Sequence, residues 1–149
     1  MATTTYLIPL RVSYDAHSHS IVLRLGSGRR PRAVVTRLHA EGIVEIDAYG
    51  RLASVTLIDN KHVHLGQRLV GLPTLPPDSA LPASDVIVYD LAGRMARFGL
   101  QATSSEVQRV SRTVQIDVDG QARLLAIHIP VQGSRRRDPD LSLALGNLV

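Results

Sequence analysis

The chain has 149 residues, 44% of them hydrophobic and 3% aromatic, with a formal charge of +4 and no cysteine. That is enough apolar material for a core, and it excludes wholesale disorder, disulfides and thiolate metal sites. No apolar run approaches the roughly 20 residues of a membrane-spanning helix. The start, MATTTYLIPLRV, lacks the pattern of a signal peptide, so a cytoplasmic protein without a membrane partner is expected.

Taken in order, Tyr6 to Tyr14 reads as a first strand, with Pro9 marking an edge position or a break. Asp15 to Ser20 is turn-like, Ile21 to Leu25 is a second strand, and Arg29-Arg30-Pro31-Arg32 makes a basic loop. Ala33 to His39 reads as a third strand. In Gly42 to Asn60, Val44, Ile46 and Ala48 alternate with Glu45 and Asp47. After Tyr49-Gly50-Arg51, Ala53, Val55 and Leu57 alternate with Ser54 and Thr56. This period of two predicts a hairpin, the fourth and fifth strands. Asn60 to Leu69 has no clear pattern, and Gly66 is expected to end any regular element there.

Pro73, Pro76, Pro77 and Pro82 rule out a helix or central strand between Gly71 and Ser84, which reads as a stiff connector. Asp85 to Tyr89 and Met95 to Leu100 read as strands. Thr103 to Arg112 carries both a capping-box pattern (Thr103, Glu106) and strand-like features, and strand is preferred. Val114 to Ile129 repeats the hairpin pattern. In the tail, Asp138-Pro139 is a helix start and Gly146 a stop, with Leu141, Leu145 and Leu148 on one side. The segments are therefore 1–70, a first meander; 71–84, a connector; 85–132, a second meander; and 133–149, a basic, leucine-rich tail.

The halves resemble each other. Tyr14-Asp15 matches Tyr89-Asp90, and Val35 to Leu38 matches Val107 to Val110. Ile46 to Gly50 is set over Ile116 to Gly120, and Arg51 to Leu57 over Arg123 to Ile129, with the second turn two residues longer. A degenerate tandem duplication is the expected cause. The expected fold is all-β: two pseudo-repeated antiparallel β-meanders packed as a sandwich, roll or partly closed barrel. Val44, Ile46, Val55, Leu57, Ile116, Val118, Ile127 and Ile129 are the predicted core.

Tyr14-Asp15, Ile21 to Leu25, Gly42 to Asp47, Gly50-Arg51-Leu52 and Val55 to Asp59 resemble the family known as domain of unknown function 2283. The likeness covers about residues 12–60, with a weaker echo over 87–129. The histidine-rich first turn, the arginines and the doubled length depart from the family pattern. The resemblance implies a small β-meander, sometimes encoded beside toxin-like proteins, and hence an antitoxin-like role. It carries over no catalytic residue.

Chemistry is sparse. His17 and His19, like His62 and His64, are spaced to share a strand face and could clasp a metal, but an exposed polar loop explains them more simply. Asp47 and Asp117 stand one step before their turns, where solvent exposure or turn hydrogen bonds account for them. No nucleophile elbow, phosphate loop or dinucleotide fingerprint is present. No enzyme activity, cofactor, metal or small-molecule substrate is expected.

Of the 17 basic residues, 16 are arginine and one is Lys61. Guanidinium grips phosphate in bidentate fashion, although GC-rich codon usage yields the same bias. Arg29, Arg30, Arg32, Arg135, Arg136 and Arg137 are the candidate anion-binding residues. Leu141, Leu145 and Leu148 are the candidate protein-contact residues. The expected function is a non-catalytic interaction or assembly module that binds another protein or itself. The alternative is a basic nucleic-acid-binding accessory protein.

Overall fold

A computed structural model describes residues 3–26, 33–101, 107–133 and 139–147. The described chain is almost entirely β. Its strands are β1 (Thr3–Leu7), β2 (Leu10–Asp15), β3 (Ser20–Leu25), β4 (Thr36–Asp47), β5 (Leu52–Ile58), β6 (Val86–Asp90), β7 (Met95–Gly99), β8 (Val107–Val118) and β9 (Leu124–Pro130). A short helix α1 (Leu65–Arg68) and a 3-10 helix (Ser142–Asn147) complete it. All nine described strands join one antiparallel sheet in the order β1-β6-β7-β5-β4-β8-β9-β3-β2, which curls into a half-barrel.

The two halves are interleaved in this sheet. The β2–β3 hairpin of the first half pairs with β9 of the second, and the β6–β7 hairpin pairs with β5 of the first. At the centre, β4 and β8 pair along their whole length, from Thr36↔Val118 to Asp47↔Val107. Glu41 and Thr113 are directly opposed at the middle of this ladder, where Thr113 Oγ1 donates to Glu41 Oε1 at 2.9 Å. Strand order and register on either side of that pair follow an approximate two-fold.

One expected strand boundary is absent, and the break offered at Pro9 is present. Gly42 does not separate two strands but lies inside β4 opposite Arg112. A Cβ there would meet the Thr56 carbonyl at 3.4 Å, an ordinary van der Waals contact. Conversely, Pro9 splits the first predicted strand. β1 and β2, on either side of Ile8-Pro9, lie at opposite edges of the sheet. Three residues reach about 11 Å at most, whereas nine flat strands would hold their edges about 38 Å apart. The short link therefore requires the curl, and Leu10 N–H donates to Asp85 Oδ1 at 3.0 Å, tying β2 to the start of β6.

The concave face holds the core. All eight predicted core residues are buried, joined by Ile21, Leu23, Ile87 and Phe98 from the outer strands. Val63, Leu65 and Leu69 around α1 join the same cluster. Gly66 does not end a regular element; it lies within α1. A Cβ on it would lie 3.1 Å from the Tyr89 hydroxyl, which donates to Asp59 Oδ2 at 2.9 Å.

The tail also closes this core. Leu141 is fully buried, Ala144 nearly so, and Leu145 packs against the cluster. The buried Arg112 reaches across, its Nη2 donating to the Val131 carbonyl at 3.1 Å and also to the Pro139 carbonyl. Leu141 is thus used within its own chain. Asp140 supplies the local cap, its Oδ1 accepting from Ser142 N–H at 2.8 Å, and Gly146 falls inside the 3-10 helix. Leu148 and Asp138 lie outside the described residues.

Candidate functional site: the charged convex face

Because strand side chains alternate, β8 sends Val110, Val114, Ile116 and Val118 to the core, and Arg109, Thr113, Gln115 and Asp117 to the convex face. In β4, Arg37, His39, Glu41 and Glu45 share that outer face. Register then aligns Arg11, Arg24, Ala126, Asp117 and Arg37 in one row across β2, β3, β9, β8 and β4. The adjacent row is Ser13, Val22, His128, Gln115 and His39.

Asp117 anchors the two rows. It is 4% exposed. Its Oδ1 lies 3.3 Å from Arg37 Nε and accepts from Gln115 Nε2 at 3.4 Å, while Oδ2 lies 2.6 Å from His128 Nε2. The Arg37 side chain is 63% exposed. One buried carboxylate therefore fixes a guanidinium by its Nε, leaving the terminal nitrogens to solvent. Arg24 is held in turn by Ser13, its Nη1 donating to Oγ at 2.9 Å. Arg11 and Arg24 have no carboxylate within ion-pair distance among the described residues.

The two-fold equivalent of Asp117 is Glu45, also buried and directly opposite Arg109, with Arg97 Nε 3.9 Å from its Oε1. This wing is less basic. The row continues through Ser54 and Gly99 to Val86, and the exposed Ile58 and Met95 are cross-strand partners nearby.

Asp47 and Asp117 are not equivalent. Asp47 does accept turn hydrogen bonds, from Tyr49 N–H and Arg51 N–H, both at 2.9 Å. Its counterpart is Asp119, which accepts from Gln121 N–H and Arg123 N–H at 2.8 and 2.9 Å. Burial opposes ionisation of Asp47, but the amides of Arg51 and Tyr49 and the Arg51 guanidinium outweigh it and hold the carboxyl below its ordinary value. The turns are thus equal in length, and Gly50 matches Ala122, not Gly120; both have positive φ, 78° and 63°.

The other sequence candidates fall elsewhere. Arg29, Arg30, Arg32, Arg135, Arg136 and Arg137 lie outside the described residues. His17, His19, His62 and His64 are exposed in turns, and no group of three or more His, Cys, Asp or Glu is placed to hold a metal among the described residues. No helix is long and apolar enough to cross a membrane among the described residues. Sequence reasoning missed Arg24, Arg37 and His128. For Arg37 the signal was the run of polar residues at every second position of β4 and β8; Arg24 and His128 stand in the otherwise apolar β3 and β9.

No family model, curated protein or solved structure matches the chain.

Proposed function

We propose that the protein is a non-catalytic binding module whose basic convex wing contacts the phosphate backbone of a double-stranded nucleic acid. The observation that carries this reading is the row in which buried Asp117 holds Arg37 and His128 beside Arg24 and Arg11. Guanidinium groups held ready on a rigid sheet lose less entropy on meeting phosphate than free ones. Of the four tyrosines and one phenylalanine, Tyr6, Tyr89 and Phe98 belong to the core, Tyr14 packs against it, and Tyr49 sits in a turn. The wing thus offers phosphates charge but offers bases no stacking platform, which favours a duplex over a single strand. The matched positions of Glu45 with Asp117 and Arg109 with Arg37 fit descent of the halves from one tandem duplication.

Fluorescence anisotropy on a labelled duplex across a salt series tests the reading. Affinity should fall steeply with salt, and Arg24→Ala with Arg37→Ala should lower the slope by about one per lost phosphate contact. Asp117→Asn should weaken binding by releasing Arg37. Binding absent at low salt, or indifferent to all three substitutions, rejects it.

An interaction or assembly module, which would include the antitoxin-like role implied by the family resemblance, is the second reading. The outer edge of β2, uncovered among the described residues, favours it.

A further inference from the structure

The two edges of the sheet are treated differently. β1 is covered by the connector: Leu7 N–H donates to the Pro73 carbonyl at 2.8 Å, Leu75 N–H to the Thr5 carbonyl at 2.9 Å, and Tyr6 bridges to Thr74. β2 pairs with β3 on one side. Gly26 N–H donates to the Pro9 carbonyl at 2.9 Å, so by antiparallel alternation Arg11, Ser13 and Asp15 bond to β3 while Leu10, Val12 and Tyr14 turn their main-chain groups outward. The Leu10 donor is taken by Asp85. The N–H and C=O of Val12 and Tyr14 have no partner among the described residues outside β2's own ladder. An open edge of this kind is normally covered or blocked unless it is used.

We infer that β2 pairs with β2 of a second copy of this chain, antiparallel, about a two-fold axis at Ser13. This deepens the assembly reading by naming the partner. The sequence of β2, Leu-Arg-Val-Ser-Tyr-Asp, is self-complementary in that register. Val12 of one copy exchanges both hydrogen bonds with Tyr14 of the other, and the reverse, so four bonds use the N–H and C=O of Val12 and Tyr14 in both copies. On the convex face each Arg11 then opposes the second copy's Asp15, placing unlike charges directly across the pair. Val12 and Tyr14, which pack against the core cluster, meet on the concave side. Sliding the register by one step in one direction requires the Leu10 donor already bound by Asp85; sliding in the other sets Val12 against Ala16 in the turn. Neither opposes Arg11 to Asp15. The contact is isologous and closes at two copies, since each chain has one such edge.

A six-residue edge makes a small interface, so the dimer should be concentration-dependent. Sedimentation equilibrium should show the mass rising from 16.2 kDa towards twice that value. Hydrogen exchange over the same range should show the Val12 and Tyr14 amides slowing as dimer forms. Arg11→Asp and Asp15→Arg should each weaken self-association about tenfold, as two like-charge pairs replace two unlike ones. Mixing these two variants should restore association as a heterodimer. Val12→Pro removes an outward N–H and should abolish the dimer. A dimer whose Val12 and Tyr14 amides stay fast would overturn the edge pairing while leaving self-assembly standing. A monomer at every concentration overturns both. The wild-type exchange measurement decides even where a variant proves unstable.

Discussion

Asp47 and Asp119 hold their hairpin turns with the same four hydrogen bonds. Each donates its N–H to an arginine carbonyl four residues on, accepts at its own carbonyl from the residue before that arginine, and accepts two amides at Oδ1. Both follow a β-bulge, at Glu45/Ile46 and Asp117/Val118. The bulge turns the strand end so that one carboxylate can gather the turn amides. Asp119→Ala strands two amides and should cost about 1–3 kcal/mol in urea unfolding, whereas Asp119→Asn should cost less. Equal losses for both substitutions would show that the oxygen is not what matters.

The same two turns give a matched test of backbone strain. Gly50 and Ala122 occupy one position, both in the left-handed region. A Cβ there costs roughly 1–2 kcal/mol, part of which Ala recovers through lower entropy in the unfolded chain. Gly50→Ala should therefore lower the unfolding midpoint and Ala122→Gly should raise it slightly. Shifts of the same sign would show that the turns differ in more than sequence.

Acid should attack the Asp47 turn and the β2–β3 turn. The Ser18 hydroxyl and the His17 amide hold the Asp15 carboxyl below its ordinary value, as the turn amides do for Asp47 against the opposing effect of burial. A depressed folded pKa contributes stability that is complete above the unfolded value of about 3.9 and is lost as pH falls through the folded one. Stability should thus change little from these groups above about pH 5 and decline below pH 4. Asp47→Asn should flatten that decline. An unchanged acid limb would assign the loss to other carboxylates.

Much of the fold was legible because burial of one sheet face imposes alternation. Val44, Ile46, Ile127 and Ile129 are where period two puts them, in the core. The alignment of the halves failed locally because Ile46-Asp47 and Ile116-Asp117 match as letters, while the turns are set by hydrogen bonds that letters do not display. Asp117 was read as a turn residue for the same reason, and its pairing with Arg37 and His128 depends on strand register between distant segments. Gly66 looked like a break. It is instead a close approach, its Cβ position lying 3.1 Å from the Tyr89 hydroxyl.

The tail belongs to the fold. Leu141 is fully buried, and its N–H donates to the Val131 carbonyl at 2.9 Å, the carbonyl that also accepts from Arg112. Leu141→Ala should cost about 2–4 kcal/mol, like Ile46→Ala or Ile127→Ala in the sheet itself. Removing residues 139–149 should be more damaging than any of these. A truncated chain with an unchanged denaturation midpoint would mean that the tail is dispensable to the core.

Ser54 offers the reverse test. It is fully buried on the convex side between Glu45 and Gly99, and its hydroxyl has no hydrogen-bond partner among the described residues. Its two-fold equivalent is Ala126, opposite Asp117 and also buried. One half of the sheet has therefore solved the same packing position without a hydroxyl. A buried polar group with no partner among the described residues costs about 1–3 kcal/mol, whereas removing a single oxygen from a tight site leaves little cavity. Ser54→Ala should raise stability by about 1 kcal/mol in urea unfolding, with the slope of the transition unchanged. Ala126→Ser, the converse, should lower it by a similar amount unless Asp117 accepts the new hydroxyl. If Ser54→Ala lowers the midpoint, the hydroxyl is bonded in solution, and Glu45, its cross-strand neighbour, is where the bond should be sought.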